Sequence, residues 1–168
     1  MTIGETLLPE YDEEMKNTRK MLECVPEEKF GWKPHEKSMS LGQLAGHVAE
    51  LPSFAVIMIG TDKLDLTPDM TPFVPTSKAE LVGKFDKLAA EGREAIARAT
   101  DDHLSKSWSL VYEGQTLVEG PRTKVLRGMA ISHLIHHRGQ LTVYLRLLNV
   151  AFPGMYGPSA DEMAAFSS

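Results

Sequence analysis

His133 and His137 stand four residues apart in the segment HLIHHRGQLTVYLRLLNV, and His47 lies in LGQLAGHVAELP between Leu44 and Leu51. All three fall where a helical repeat asks for apolar residues. Positions i and i+4 share one helix face about a turn apart, so both imidazoles of the pair can reach a single ion. A third imidazole from another helix gives three nitrogen ligands and leaves positions for water or substrate, the pattern of a reactive metal centre. Neutral imidazole suits zinc, nickel, copper and iron alike. Metalloprotease helices use the same pair with a glutamate after the first histidine. Leu134 stands there in this chain, so that hydrolytic motif is absent. His136 falls on the other side of His133 and is an alternative ligand; the i, i+4 geometry favours His137. Singly, a histidine on an apolar stripe is more often a core or edge residue than a ligand. The metal reading therefore rests on the three together.

The neighbours have blander readings. Arg138 suits a substrate carboxylate, but a salt bridge on the flank of a helix is the simpler expectation. Gln140 either hydrogen-bonds across the core or orients a ligand. Glu50, one turn beyond His47, reads as a solvated carboxylate at a helix edge. Trp32, Pro34 and His35 read as a lid on the helix ends, Tyr144 as core packing, Met129 as gap-filling, and His103 in TDDHLSKS as a surface residue. Cys24 has no cationic neighbour in MLECVPEE and reads as structural. No residue identifies itself as a general base.

Helices must position these groups. Ile3, Leu7, Leu8, Tyr11, Met15, Thr18 and Leu22 recur at helical steps, and Pro26 ends that run. Ser40 with Gln43 forms a capping-box pattern that opens a second helix carrying Leu44, His47, Val48, Leu51 and Met58, with a kink at Pro52 and an end at Gly60. Residues 61–76 hold several prolines and read as an irregular crossing loop. Ser77 with Glu80 opens a third helix running to about Ala99. Residues 107–118, centred on Glu113-Gly114, read as a small β-hairpin or an extended connection. Pro121 fits the first turn of the fourth helix, whose expected inner stripe is Leu126, Met129, Ala130, His133, His137, Leu141, Tyr144, Leu145 and Leu148. A short helix follows from Ser159. The fold class expected is all-α: one domain over 1–168, an up-down-up-down antiparallel four-helix bundle with the hairpin between helices three and four.

Composition narrows the function classes. Of 168 residues, 42 % are hydrophobic and 24 % charged, values of a folded water-soluble chain rather than a disordered one. The net charge of −5, with Lys and Arg scattered, argues against nucleic acid as a partner. No apolar stretch reaches membrane-spanning length and the N-terminus is not a signal peptide, so no membrane partner and a cytoplasmic location are expected. A single cysteine excludes an internal disulfide and any cysteine-based zinc motif.

The segments LGQLAGHVAELP, HLIHHRGQLTVYLRLLNV and PGMYGPSADE, with the Trp32–His35 motif between the first two helices, resemble the DinB / YfiT-like superfamily of metal-dependent enzymes. The residues matching that family's metal histidines are His47, His133 and His137. The resemblance implies an up-down-up-down bundle, a homodimer, and zinc or nickel (iron as a further candidate) in the site. It also implies a thiol-dependent S-transferase or isomerase that takes a low-molecular-weight thiol and a small-molecule substrate. Two other classes stay open: a non-catalytic, stress-related protein that binds a metal or small ligand, and a structural bundle with incidental histidines.

Overall fold

The structure is a computed structural model describing residues 1–68 and 70–166. Helix α1 spans Ile3–Glu23, opened by a capping box in which Thr2 and Glu5 each accept the other's backbone N–H. Helix α2 (Leu41–Glu50) opens on the expected reciprocal pair, Ser40 with Gln43. Pro52 does more than kink the run: α3 (Ser53–Gly60) starts beyond it, bent 41° from α2. Helix α4 covers Lys78–Arg98, with the Ser77 hydroxyl accepting the Glu80 N–H. Here the second arm differs from expectation, since Glu80 reaches back to the N–H and hydroxyl of Thr76 rather than to Ser77. A short α5 (Asp101–Ser105) follows.

The expectation of an all-α chain is corrected by a three-stranded sheet. Strand β1 (Lys63–Leu66) lies inside the segment read as an irregular loop and pairs in parallel with β2 (Ser107–Tyr112), Lys63 opposite Ser109 and Leu66 opposite Tyr112. Strand β3 (Gln115–Pro121) runs antiparallel to β2, joined through Glu113 and Gly114 at φ 47° and 76°. Both joining residues are left-handed, the backbone that matches the twist of a two-residue connection. Four residues among prolines give β1 almost no local signal; its strand character comes from β2, some 45 residues downstream.

Pro121 closes β3 instead of entering a helix. Helix α6 (Arg122–Leu126) runs into a π-helical stretch, Arg127–Ser132, and then into α7 (His133–Leu147). Asn149, at φ 57°, ends the run in a left-handed turn. Helix α8 (Ala160–Phe166) is capped by Ser159 and Glu162.

Helix α1 packs on α4 and α7, and α2 on α4 and α7. Between them lies a core of Leu44, Val48, Leu51, Leu81, Phe85, Ile96, Leu134, Leu141 and Leu145, all at most 1 % exposed. Each such side chain contributes about 1.5–3 kcal/mol of burial, so this core, and not the small sheet, holds α2 and α7 in fixed relation. Among the described residues no single helix is long and apolar enough to cross a membrane. The bent α2–α3 pair meets that length and composition, but its Leu44, Val48, Leu51, Ala55 and Met58 are buried in the core.

Candidate metal centre

The α2–α7 contact decides where the histidines meet. His47 lies on the α2 edge facing α7, beside the buried Leu44, Val48 and Leu51. His133 and His137 are the first residue and the first full turn of α7. Their ring centroids are 4.6 Å apart, and the His47 ring lies 5.2 Å from His133 and 4.6 Å from His137. One nitrogen from each of the three lies within 4.8 Å of the others. The closest pair is His137 Nε2 and His133 Nε2, at 2.8 Å. Two ligands of one tetrahedral ion, each bonded at about 2.0–2.1 Å, stand roughly 3.4 Å apart. The observed spacings, from 2.8 Å to at most 4.8 Å, bracket that value.

Protonation follows from the partners. His137 Nδ1 lies 2.7 Å from Gln140 Oε1, an oxygen that only accepts, so Nδ1 carries the proton and Nε2 the lone pair. His133 Nδ1 is buried and has no hydrogen-bond partner among the described residues. A histidine kept for structure has its ring nitrogens satisfied by protein groups. Here the rings turn nitrogens toward one another, and among the described residues no carboxylate joins the cluster, which is a donor set that fits a cation.

Burial is the first cause that pushes the His47 pKa down, to about 4, reinforced by the charges His137 and His133 would carry. Burial also lowers His133, with His137 and His136 adding to it. His137 is lowered by burial despite the opposing hydrogen bond that it donates to Gln140 Oε1. The rings are therefore neutral at pH 7, the form that binds metals. An unfolded histidine titrates near 6.5, so between about pH 6.5 and 4 the unfolded chain binds more protons than folded His47, and stability falls as pH falls through that window. Metal-free protein is expected to lose on the order of 1 kcal/mol, a few degrees of Tm, between pH 7 and pH 5, the pKa shift being discounted for solvent screening. Calorimetry of chelator-treated protein checks this; an equal loss in His47→Asn would assign it elsewhere.

The other sequence candidates separate cleanly. His136 is exposed; its ring lies 4.8 Å from His137, and its Nε2 accepts from Gln140 Nε2 at 3.1 Å. It stays outside the convergent trio. Gln140 thus bridges the two histidines and sets the His137 tautomer. Gln140→Leu is expected to weaken zinc binding by about 10–100-fold without unfolding the exposed site; calorimetric titration reads it, and unchanged affinity would remove Gln140 from this role.

Arg138 is a correction: it is 2 % exposed, not on a flank. Its guanidinium donates to the Glu14 carbonyl (3.1 Å), Thr18 Oγ1 (3.0 Å), Glu14 Oε2 (2.6 Å) and Tyr156 Oη (2.8 Å). With its donors engaged in the interior, it has no reach to a substrate. Glu50 is not simply solvated, since its Oε2 accepts the Phe73 N–H at 3.0 Å. One turn earlier, a Cβ on Gly46 would lie 2.2 Å from the Phe73 carbonyl oxygen, so only glycine lets that strand of loop lie on α2 beside His47. His103 is half-buried and donates from Nε2 to the Ile59 carbonyl at 2.8 Å. His35 stays in its exposed loop, with Nδ1 accepting the Lys37 N–H at 3.2 Å. Trp32 packs edge-on against Tyr144 at 5.7 Å, and Tyr144 donates to the Met39 carbonyl. Burial pushes the Cys24 thiol up, only partly offset by Lys78, so it is not an activated nucleophile.

Sequence spacing missed the cleft next to the trio. It has a volume of about 430 Å³ and is walled by His47 and Glu50 of α2, Phe54 and Ile57 of α3, and Leu64 and Leu66 of β1.

Comparison with known proteins places this arrangement. The uncharacterized protein YrdA of Bacillus subtilis is 27 % identical over 159 residues, covering 95 % of this chain and 91 % of that protein. A crystal structure of a DinB-like protein from Bacillus cereus superposes with a TM-score of 0.71 at 26 % identity, over 90 % of this chain and 97 % of the other. A second, the DinB-like protein YjoA of Bacillus subtilis, gives 0.67 at 19 % identity over 92 % and 99 %, a likeness of fold alone. The profile of the DinB family matches residues 1–167, and the chain belongs to the DinB family.

Proposed function

We propose that this chain is a divalent-metal-dependent enzyme whose ion is held by His47, His133 and His137. The observation that carries the reading is the convergence of three neutral imidazoles from two helices, with one nitrogen of each within 4.8 Å of the others. The reaction we favour is transfer of a low-molecular-weight thiol to a small electrophile, or a related isomerisation. Zinc or nickel fits the nitrogen donors, with iron as the further candidate. A bound ion would supply Lewis acidity and hold a thiol as thiolate at neutral pH.

The chain's own groups have assigned tasks in this reading. Gln140 holds His137 with its proton on Nδ1 and its lone pair toward the site. His47 joins the site to the cleft, and the Phe73 N–H orients the Glu50 carboxylate there. Arg138 takes no part in substrate binding, because Glu14, Thr18 and Tyr156 occupy it. Helices α1, α2, α4 and α7 serve as the four staves of an antiparallel bundle, and the working unit is a cytoplasmic homodimer.

The test is elemental analysis of untagged protein purified without chelator, sized by light scattering, then assayed for loss of a thiol with an aryl or alkyl halide. About one metal per chain together with turnover is the expected result. Stoichiometric metal without turnover of any thiol leaves the alternative, a metal- or ligand-binding protein of a stress response. No metal, even after reconstitution with zinc or nickel, ends the metalloenzyme reading and the metal-binding form of the alternative.

A further inference from the structure

The cleft beside His47 has mainly apolar walls, with the hydroxyls of Ser53, Thr67 and Thr71 as neutral polar groups among them. Phe54 and Ile57 come from α3, Leu64 and Leu66 from β1, and Met70 and Tyr112 close the rim. At about 430 Å³ it lies within the size range of small-molecule sites. Among the described residues lining it there is no Lys or Arg, and the one carboxylate is Glu50. His47 belongs both to this lining and to the histidine trio, so the cleft is continuous with the candidate metal centre.

We propose that this cleft seats an uncharged apolar group of the substrate, aryl or branched alkyl, and discriminates against a substrate carrying a carboxylate or sulfonate there. The inference rests on the metal reading at the His47 end, where a bound ion would attract an anion; the preference of the walls away from His47 stands on their own lining. Apolar walls reward removal of apolar surface from water. An anion in the same place loses hydration, finds no cation among the lining residues, and meets the like charge of Glu50. Glu50 is held by the Phe73 N–H, so its carboxylate cannot swing away without giving up that bond. The bend at Pro52 sets the shape: it carries Phe54 and Ile57 off the α2 axis and toward β1, which closes the opposite side.

Two fluorescent probes of one skeleton test this, neutral N-phenylnaphthylamine and its sulfonated analogue, anilinonaphthalene sulfonate, titrated against the full chain. The neutral probe is expected to bind saturably and to shift the imidazole nuclear magnetic resonance signals of His47. The sulfonated probe is expected to bind at least about tenfold more weakly, with Glu50→Gln narrowing the gap. Ile57→Trp, which fills the cleft, and Met70→Asp, on its exposed rim, are each expected to weaken the neutral probe about tenfold or more. A far-ultraviolet circular dichroism spectrum and a cooperative thermal transition like those of the parent show that these two variants are folded. His133→Ala, which removes the metal site, is expected to leave neutral-probe binding intact, so failure of the metal reading and failure of the cleft are read separately. Equal affinity for the two probes, or neutral-probe binding undiminished in both cleft variants, overturns the proposal.

Discussion

Saturating zinc is expected to raise the Tm of metal-stripped protein by about 8–16 °C, and His133→Ala is expected to abolish that rise. A ligand that binds only the folded state stabilises it by about 4 kcal/mol at a thousandfold excess over Kd. For a chain of this length each kcal/mol moves Tm by roughly 2–4 °C. The effect should be this large because the site is built before the ion arrives: His47 and the α7 pair are held by the α2–α7 contact and the core beneath it. His47→Ala and His137→Ala should behave as His133→Ala does. His136→Ala should keep the full rise, since His136 is exposed and reaches the trio only through Gln140. Differential scanning calorimetry with and without chelator gives each value. A rise that survives in His137→Ala and vanishes in His136→Ala would transfer the ligand role to His136.

Glu14→Ala is expected to destabilise the fold by about 3–5 kcal/mol, the range for removing one partner of a buried ion pair, and to lower Tm by about 10 °C. Glu14 and Arg138 are 6 % and 2 % exposed, with Nη2 and Oε2 2.6 Å apart. The guanidinium cannot shed its proton to escape burial. The same carboxylate accepts from Tyr156 Oη at 2.8 and 2.9 Å, so its loss also unfastens the segment that follows α7. Paired replacement, Glu14→Leu with Arg138→Met, should cost far less, because it removes both charges and fills the volume with apolar groups. Urea denaturation monitored by circular dichroism separates these outcomes. A loss under about 1 kcal/mol in Glu14→Ala would mean that water reaches the pair as it reaches a surface bridge.

Local chemistry was legible in the sequence, and tertiary chemistry was legible in part. Ser40 with Gln43, Ser77 and Pro26 mark helix ends through interactions within four residues, and the structure places ends there. The i, i+4 pairing of His133 and His137 was also readable, because helical spacing is a property of a short window, whereas their meeting with His47 depends on the α2–α7 contact. Strand β1 was not, since its pairing partner lies beyond α4. His103 looked exposed among polar neighbours, but its partner, the Ile59 carbonyl, is 44 residues away. The buried Arg138 was hidden for the same reason. A charged residue on a helix looks solvated until the carboxylate of another helix, here Glu14, is seen against it.

The middle of the inner stripe of the last helix was misplaced for a different reason. A constant period of 3.6 carried forward from Leu126 puts His133 and His137 at its centre. Leu126, Ala130, Leu141 and Leu145 of that stripe are buried as expected, but Ile131, Leu134 and Arg138 take the buried positions between them, and the two histidines are half-buried at the edge. The π-helical stretch Arg127–Ser132 accounts for the offset, since its wider turn takes in more residues than an α-turn and delays the stripe by about one position. That delay keeps the histidines out of the core and open to an ion.

The wide turn also has a meaning for insertions and deletions. Between Arg127 and Ser132 chain length and helix phase are uncoupled, so a lineage could lose one residue there, restore a regular helix, and leave His133 facing His47 as before. One residue lost between His133 and His137 has no such slack. It would swing one imidazole about 100° around the helix from the other, and the trio would come apart. Length variation among relatives should therefore be tolerated just upstream of the histidine pair and absent within it.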